Sequence, residues 1–206
     1  MHKLLTMTVH QLKLKDLNTV FFQRLRQQYL DGDMEVEVRV YAGKPHGRPT
    51  GQVMTEDEFW HVLSLLNWEK EGEDNAVLQP AVDYLSRFSV SDIARFQDIL
   101  SEKLHRLDGE LYAKHIGENA YGQGNYFSAD QFLYARCCAV ANGQSYYEHI
   151  LSHPEDMPKD LEFEALLRLA DHACLKKTGK HLEHIPAYNY ETGFNSQGWG
   201  EKTIQI

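Results

Sequence analysis

Apolar residues follow three different patterns along this chain. Between Ser128 and Asn142 almost every position is apolar: Phe132, Leu133, Tyr134, Ala135, Cys137, Cys138, Ala139, Val140 and Ala141. A helix with no polar face is a buried helix, and this one is too short for a bilayer, which takes about 20 residues. Ser128 with Gln131 predicts a capping box at its start, and Asn142-Gly143 predicts its stop. The stretch therefore reads as the central helix of a soluble core. Its one internal charge is Arg136. A buried guanidinium has to be paired, so an Asp or Glu from elsewhere is expected against it.

The second pattern steps at three and four residues. Thr55 and Glu58 form a capping box, with Met54 and Phe59 as a hydrophobic staple, ahead of a helix through Phe59, Trp60, Val62, Leu63, Leu65 and Leu66. A shorter helix carries Val77, Leu78, Ala81, Val82 and Leu85, with Pro80 kinking it or marking its first turn. Ser89 and Asp92 cap the longest helix. Its stripe runs Ile93, Phe96, Leu100, Leu104, Leu107 and Leu111, with Asp108-Gly109 as a weak point. After Gly143 a helix presents Tyr146, Tyr147, Ile150 and Leu151. A last helix is expected to start at Pro158, to face inward with Phe163, Leu166, Leu167, Ala170 and Cys174, and to end at Gly179.

The third pattern is strict alternation. Met34–Val40 sets Val36, Val38 and Val40 against Glu35, Glu37 and Arg39, which predicts a half-buried strand. With Thr8–Leu14 and a helix after Asn18, residues 1–50 read as a strand–helix–strand module. It is too small to stand alone and is expected to dock on the main body, a partner or a second copy. The expected fold class is thus mainly α, a compact helical domain around 128–142 with this module at its N-terminus. Residues 51–180 form the helical core domain, and 181–206 an aromatic flap packed on it.

Charge sharpens this picture. The net charge is −9. Residues 1–50 carry eight Lys/Arg and five Asp/Glu, a balance of +3, which leaves −12 for residues 51–206. So acidic a body argues against nucleic acid and anionic membrane as partners. The densest acidic run, Thr55–Asp74, holds seven acids against Lys70. Within it Trp68, Glu69, Glu71, Glu73 and Asp74 make the candidate binding face. It is a solvated loop in the plainer reading, and an edge that steers a basic protein in the functional one, with Trp68 as its aromatic anchor.

Catalytic and metal signals are weaker. His149 and His153 share a helical face, but the Glu between zincin histidines is missing. His181 and His184, with Asp171-His172 upstream, offer two ligands without a fixed third. Cys137 and Cys138 sit mid-helix, and Cys174 lies on an inner face, so all three read as reduced core thiols of a cytoplasmic protein. Gly122-Gln123-Gly124 lacks the strand and Lys of a phosphate loop. No cofactor is called for, and no transmembrane helix or signal peptide is expected.

The order of motifs resembles a bacterial family known as domain of unknown function 4240. EDEFW at 56–60, NWEKEGED at 67–74, SEKLHRLDG at 101–109, DQFLYARCCAVANG at 130–143, MPKDLEFEALL at 157–167, KKTG at 176–179 and YETGFNSQGW at 190–199 carry it. The resemblance implies one compact helical unit and brings no activity with it. The loop near Ala120–Asn125 is longer than that pattern, and residues 1–50, loosely similar to antitoxin-like proteins, fall outside it. The functional expectation is a non-enzymatic bacterial protein that binds a basic protein, immunity- or antitoxin-like. The alternative is a hydrolase or nucleic-acid-modifying enzyme that uses acids and histidines near the aromatic tail.

Overall fold

The computed structural model describes residues 53–200 apart from Gln123 and Asn125. The N-terminal strand–helix–strand expectation, residues 1–50, lies outside the described residues. Those described form a helical body: α1 (Glu56–Leu63), α2 (Asp74–Leu85), α3 (Val90–Arg106), α4 (Glu110–Ala113), α5 (Ala129–Ala141), α6 (Gln144–Ser152), α7 (Leu169–Thr178) and α8 (Ser196–Trp199). Short 3-10 turns occupy Trp68–Lys70, Pro154–Asp156 and Glu164–Arg168. No helix among the described residues is long and apolar enough to cross a membrane.

Local side-chain chemistry sets the helix starts. Thr55, Ser89 and Ser128 each accept a hydrogen bond from the amide three residues on, at Glu58, Asp92 and Gln131. This satisfies one of the donors that a helix start leaves open. The reciprocal arms of the two capping boxes are used elsewhere. Glu58 takes the Tyr84 hydroxyl at 2.7 Å, and the Gln131 carbonyl takes the Asn119 amide at 2.6 Å. Each box thus yields half of its local bonds to a tertiary one. The entry to α1 is pinned to α3: the Met54 amide donates to Asp92, and Arg95 donates to the Met54 carbonyl. Met54 and Phe59, the two staple positions, are both fully buried.

α5 forms the centre of the body as expected, packed by α3 and α6, while α7 lies on α2 and α3. Phe132, Cys137, Ala139 and Val140 are completely buried. Phe59 meets Phe96 at 4.9 Å between ring centroids, and Trp60 meets Tyr147 at 5.5 Å, joining α1, α3 and α6.

Pro80 stands inside α2, the first of the two placements its position allowed. Three boundaries differ from the sequence expectation. α1 stops at Leu63, though Leu66 beyond it is still buried. α3 ends at Arg106, so Leu111 leaves the core stripe and is 58% exposed. The break has a packing cause. A Cβ on Gly109 would sit 2.9 Å from the Gly198 carbonyl oxygen, so the backbones of α8 and the α3–α4 turn touch where a side chain would separate them. The last helix starts at Leu169, not at Pro158. Asp160, at φ +55°, turns the chain back so that its amide donates to the Ile116 carbonyl and its carboxylate takes the Glu118 amide. Gly179 ends α7 in the left-handed conformation, φ +75°. Residues 181–195 then cross the body without helix, and the single turn of α8, where none was expected, closes the described chain.

Candidate functional site

The apolar positions of α5 carry Arg136 into the middle of the body, where it is fully buried. Among the described residues no carboxylate is in contact with it, contrary to the expectation. Its Nη1 donates to the carbonyls of Leu104 (3.0 Å) and Tyr190 (2.9 Å), and its Nη2 donates to the Thr192 hydroxyl (2.9 Å). That hydroxyl donates onward to the Ala129 carbonyl at 2.8 Å. The guanidinium lies 4.6 Å from the centroid of the Phe132 ring. Neutral oxygens and an aromatic face thus satisfy the cation, and a spare buried Nε–H is left without an acceptor. Burial pulls the Arg136 pKa down to about 10, against the opposing field of Asp108, so the group stays charged at neutral pH.

Asp108 is the second buried charge. Both of its oxygens accept from the Gly193 amide at 3.0 Å, one also takes the Asn195 amide, and the other the Trp199 indole, each at 2.8 Å. Hydrogen bonds to an ionised acceptor are among the stronger ones in proteins. The Trp199 ring is buried among Tyr121, Phe127 and Phe132, at 5.3, 6.0 and 5.8 Å between centroids. Asn195 also donates to the His105 carbonyl. Residues 190–199 are therefore held by two buried charges of opposite sign and an aromatic pocket. In the sequence Asp108 reads only as part of a helix break, and Thr192 and Trp199 carry no role there. The signal was there in a charged residue beside an apolar stripe, at the one point where that stripe breaks.

The acidic face has a different character. Glu69, Glu71, Glu73 and Asp74 are all exposed. Their backbone is held by a chain of turns: Lys70 N to Asn67 O, Glu71 N to Trp68 O, Glu73 N to Lys70 O and Ala76 N to Glu73 O. Asp74 lies in the first turn of α2, where a negative charge favours the helix dipole. Trp68 is half-buried against Phe163, at 5.1 Å between centroids. It is packed against the body rather than fully exposed.

The histidine pairs do not converge on a common point. His181 Nδ1 meets Asp171 at 2.9 Å, whereas His184 Nε2 meets Asp98 at 2.7 Å, on a different helix. His149 Nε2 meets Asp156 at 2.7 Å, and its ring stacks on His153 at 4.5 Å. Among the described residues no three His, Cys, Asp or Glu side chains gather as metal ligands. Cys137, Cys138 and Cys174 are free and buried. Burial pushes the Cys138 thiol up to about 12 and Cys137 higher still, away from the thiolate a nucleophile needs. A recess between Ile116, Asn119, Gln131, Asp160, Leu161 and Glu162 leaves about 20 Å³ for solvent, room for a water but not for a metabolite.

Asp171 ties the segment after α7 to that helix through His181 and the Leu182 amide. Burial pushes its pKa up, but these bonds outweigh it and the net shift is downward. Asp156 moves the same way, chiefly through its bond to His149. A carboxyl with a lower pKa in the folded state adds stability above its unfolded value, about 3.9, and loses it as pH falls through the folded value. Stability should therefore fall on acidification below about pH 4, and Asp171→Asn should flatten that limb in unfolding titrations. A limb of unchanged steepness would count against this clasp.

These features define a small helical domain built around a buried guanidinium, with an acidic turn on its surface. The chain belongs to the family DUF4240, described as a protein of unknown function, whose model matches residues 54–176. Neither a curated protein nor a solved structure matches it.

Proposed function

We propose that this protein works by binding another protein, as a regulatory or immunity- or antitoxin-like neutraliser in the cytoplasm, and that its partner is basic. The observation that carries this reading is the acidic turn. Glu69, Glu71, Glu73 and Asp74 are exposed together on backbone fixed by successive turns, next in sequence to the half-buried Trp68. A rigid cluster of one sign steers an oppositely charged partner and fixes its register. The chemistry of the thiols agrees, since Cys137 and Cys138 are raised and buried rather than activated.

The test is a charge reversal. Glu69, Glu71 and Glu73 make no side-chain bond within the described body that their loss would break, so E69K/E71K/E73K should leave the thermal midpoint within a few degrees. Affinity capture from the native bacterium at low and moderate salt should retain one stoichiometric basic protein on the unmodified chain and lose it on the variant. An identical retained set on both chains would remove the acidic face from consideration.

A further inference from the structure

Residues 180–189 leave α7 at Gly179, where φ is +75°, and end against Tyr190, whose carbonyl is held by Arg136. Both ends are anchored, yet no residue between them is fully buried, and Ile185 is 91% exposed. Burial of apolar surface therefore does little to hold this segment down. Among the described residues, the hydrogen bonds that tie 181–189 to the helices end on three groups, and all three are titratable. Asp171 of α7 takes His181 Nδ1 at 2.9 Å and the Leu182 amide at 2.8 Å. Asp98 of α3 takes His184 Nε2 at 2.7 Å and the Ala187 amide at 2.9 Å. His105 of α3 meets the Asn189 carbonyl at 2.8 Å through Nδ1, and its ring lies 5.4 Å from that of Tyr188. Each carboxylate thus grips one imidazole and one backbone amide of the same segment.

We propose that residues 181–189 form a pH-sensitive strap, fastened to α3 and α7 when His181 and His184 carry a proton and loosened when they lose it. Imidazole is the side chain that changes charge between about pH 5 and 8. With the proton, each histidine and its carboxylate are opposite charges in contact. Without it, the carboxylate keeps a hydrogen bond and loses that attraction. The charge coupling is felt at Asp171. Burial pushes its carboxyl up, but the Leu182 amide, the bond to His181 and the charges of His181 and His172 bring the net shift downward. Such coupling is mutual, since a cation that favours a carboxylate is favoured by it. The other charged or titratable groups beside the two pairs are His172 on α7, His105 on α3, and Lys180 and Glu183 next in sequence on the strap. The sign is that of a group whose protonated form is bound in the fastened state: fastening is full below the imidazole range and is lost as pH rises through it. At the acid end Asp171 loses its charge and the same bonds weaken, so the strap is tightest under mildly acidic conditions. Its release is local, because Gly179 is a hinge in open space and Arg136 holds Tyr190 beyond the other end.

Hydrogen exchange of the Leu182 and Ala187 amides in the full chain reads the strap directly, since each donates to one of the two carboxylates. After correction for the intrinsic rate, their protection should fall about two- to thirtyfold between about pH 5 and pH 8, the range for losing two ion pairs at the surface. Amides of α5 should keep theirs. In His181→Asn/His184→Gln the side-chain amide nitrogens can take the places of Nδ1 and Nε2, which keeps the hydrogen bonds and removes the titrating charge, so the fall should vanish. Protection at both amides that stays constant over this range in the unmodified chain overturns the proposal, and so does an equal fall in the double variant. The first of these outcomes needs no variant, so it decides the matter even if the double substitution fails to fold.

Discussion

Replacing Arg136 with Met should cost the domain about 2–5 kcal/mol of unfolding free energy, since two buried carbonyls lose their charged donor at about 1–3 kcal/mol each. Met fills much of the space of the arginine stem, so packing changes little. What is lost is the set of bonds to Leu104, Tyr190 and Thr192. Two carbonyls lose their cationic donor, and the charge that Asp108's field supports is gone. Chemical denaturation followed by tryptophan fluorescence measures this, since all three tryptophans, Trp60, Trp68 and Trp199, lie in this body. A cost under about 1 kcal/mol would show that surface pairs, whose usual value is that small, hold the fold as well as this centre does. Adding Asp108→Asn separates the charges. If they act as a pair, the double variant should cost clearly less than the two single costs together.

The parts of the fold legible in the sequence are those decided within a few residues. Thr55, Ser89 and Ser128 cap because a hydroxyl three positions before an amide reaches it in any context, and Gly179 stops α7 because it takes a left-handed φ at little cost. α5 was legible for a related reason: an apolar stretch of that length, with no polar face, has one stable environment. What failed was decided across the chain. The helix expected from Pro158 gives way to a turn because Asp160 is bound by Ile116 and Glu118, more than 40 positions earlier. Leu111 leaves the core because Gly109 meets Gly198. For Arg136 the premise held and the partner did not. Burial demands acceptors, but sequence spacing does not show that carbonyls 32 and 54 positions away will supply them. The histidine spacing was weak from the start, and His181 and His184 turn to different helices. The acidic face was legible as charge alone. The structure adds that its acidic side chains are exposed and that Trp68 is half-buried against Phe163.

Trp199→Ala should destabilise the domain by about 3–5 kcal/mol, as truncation of a buried Trp does. The effect has two sources, and Trp199→Phe separates them. Alanine removes the ring from its contacts with Tyr121, Phe127 and Phe132 and also the indole donor to Asp108. Phenylalanine keeps an aromatic ring in the pocket and removes the donor. Asp108 would retain the amides of Gly193 and Asn195, so Trp199→Phe should cost about 1–3 kcal/mol, the price of a charged group left one bond short. Equal losses in the two variants would mean that the indole bond, and not ring packing, fastens the segment. A negligible loss in Trp199→Phe would place the fastening in the aromatic pocket and make Asp108 an anchor for backbone alone. A segment fastened by hydrogen bonds to Asp108 and Arg136 depends on donors and acceptors spread along residues 190–199, whereas one fastened by its ring depends on the aromatic side chain alone. The geometry of four N–H donations to Asp108 from three residues favours the first.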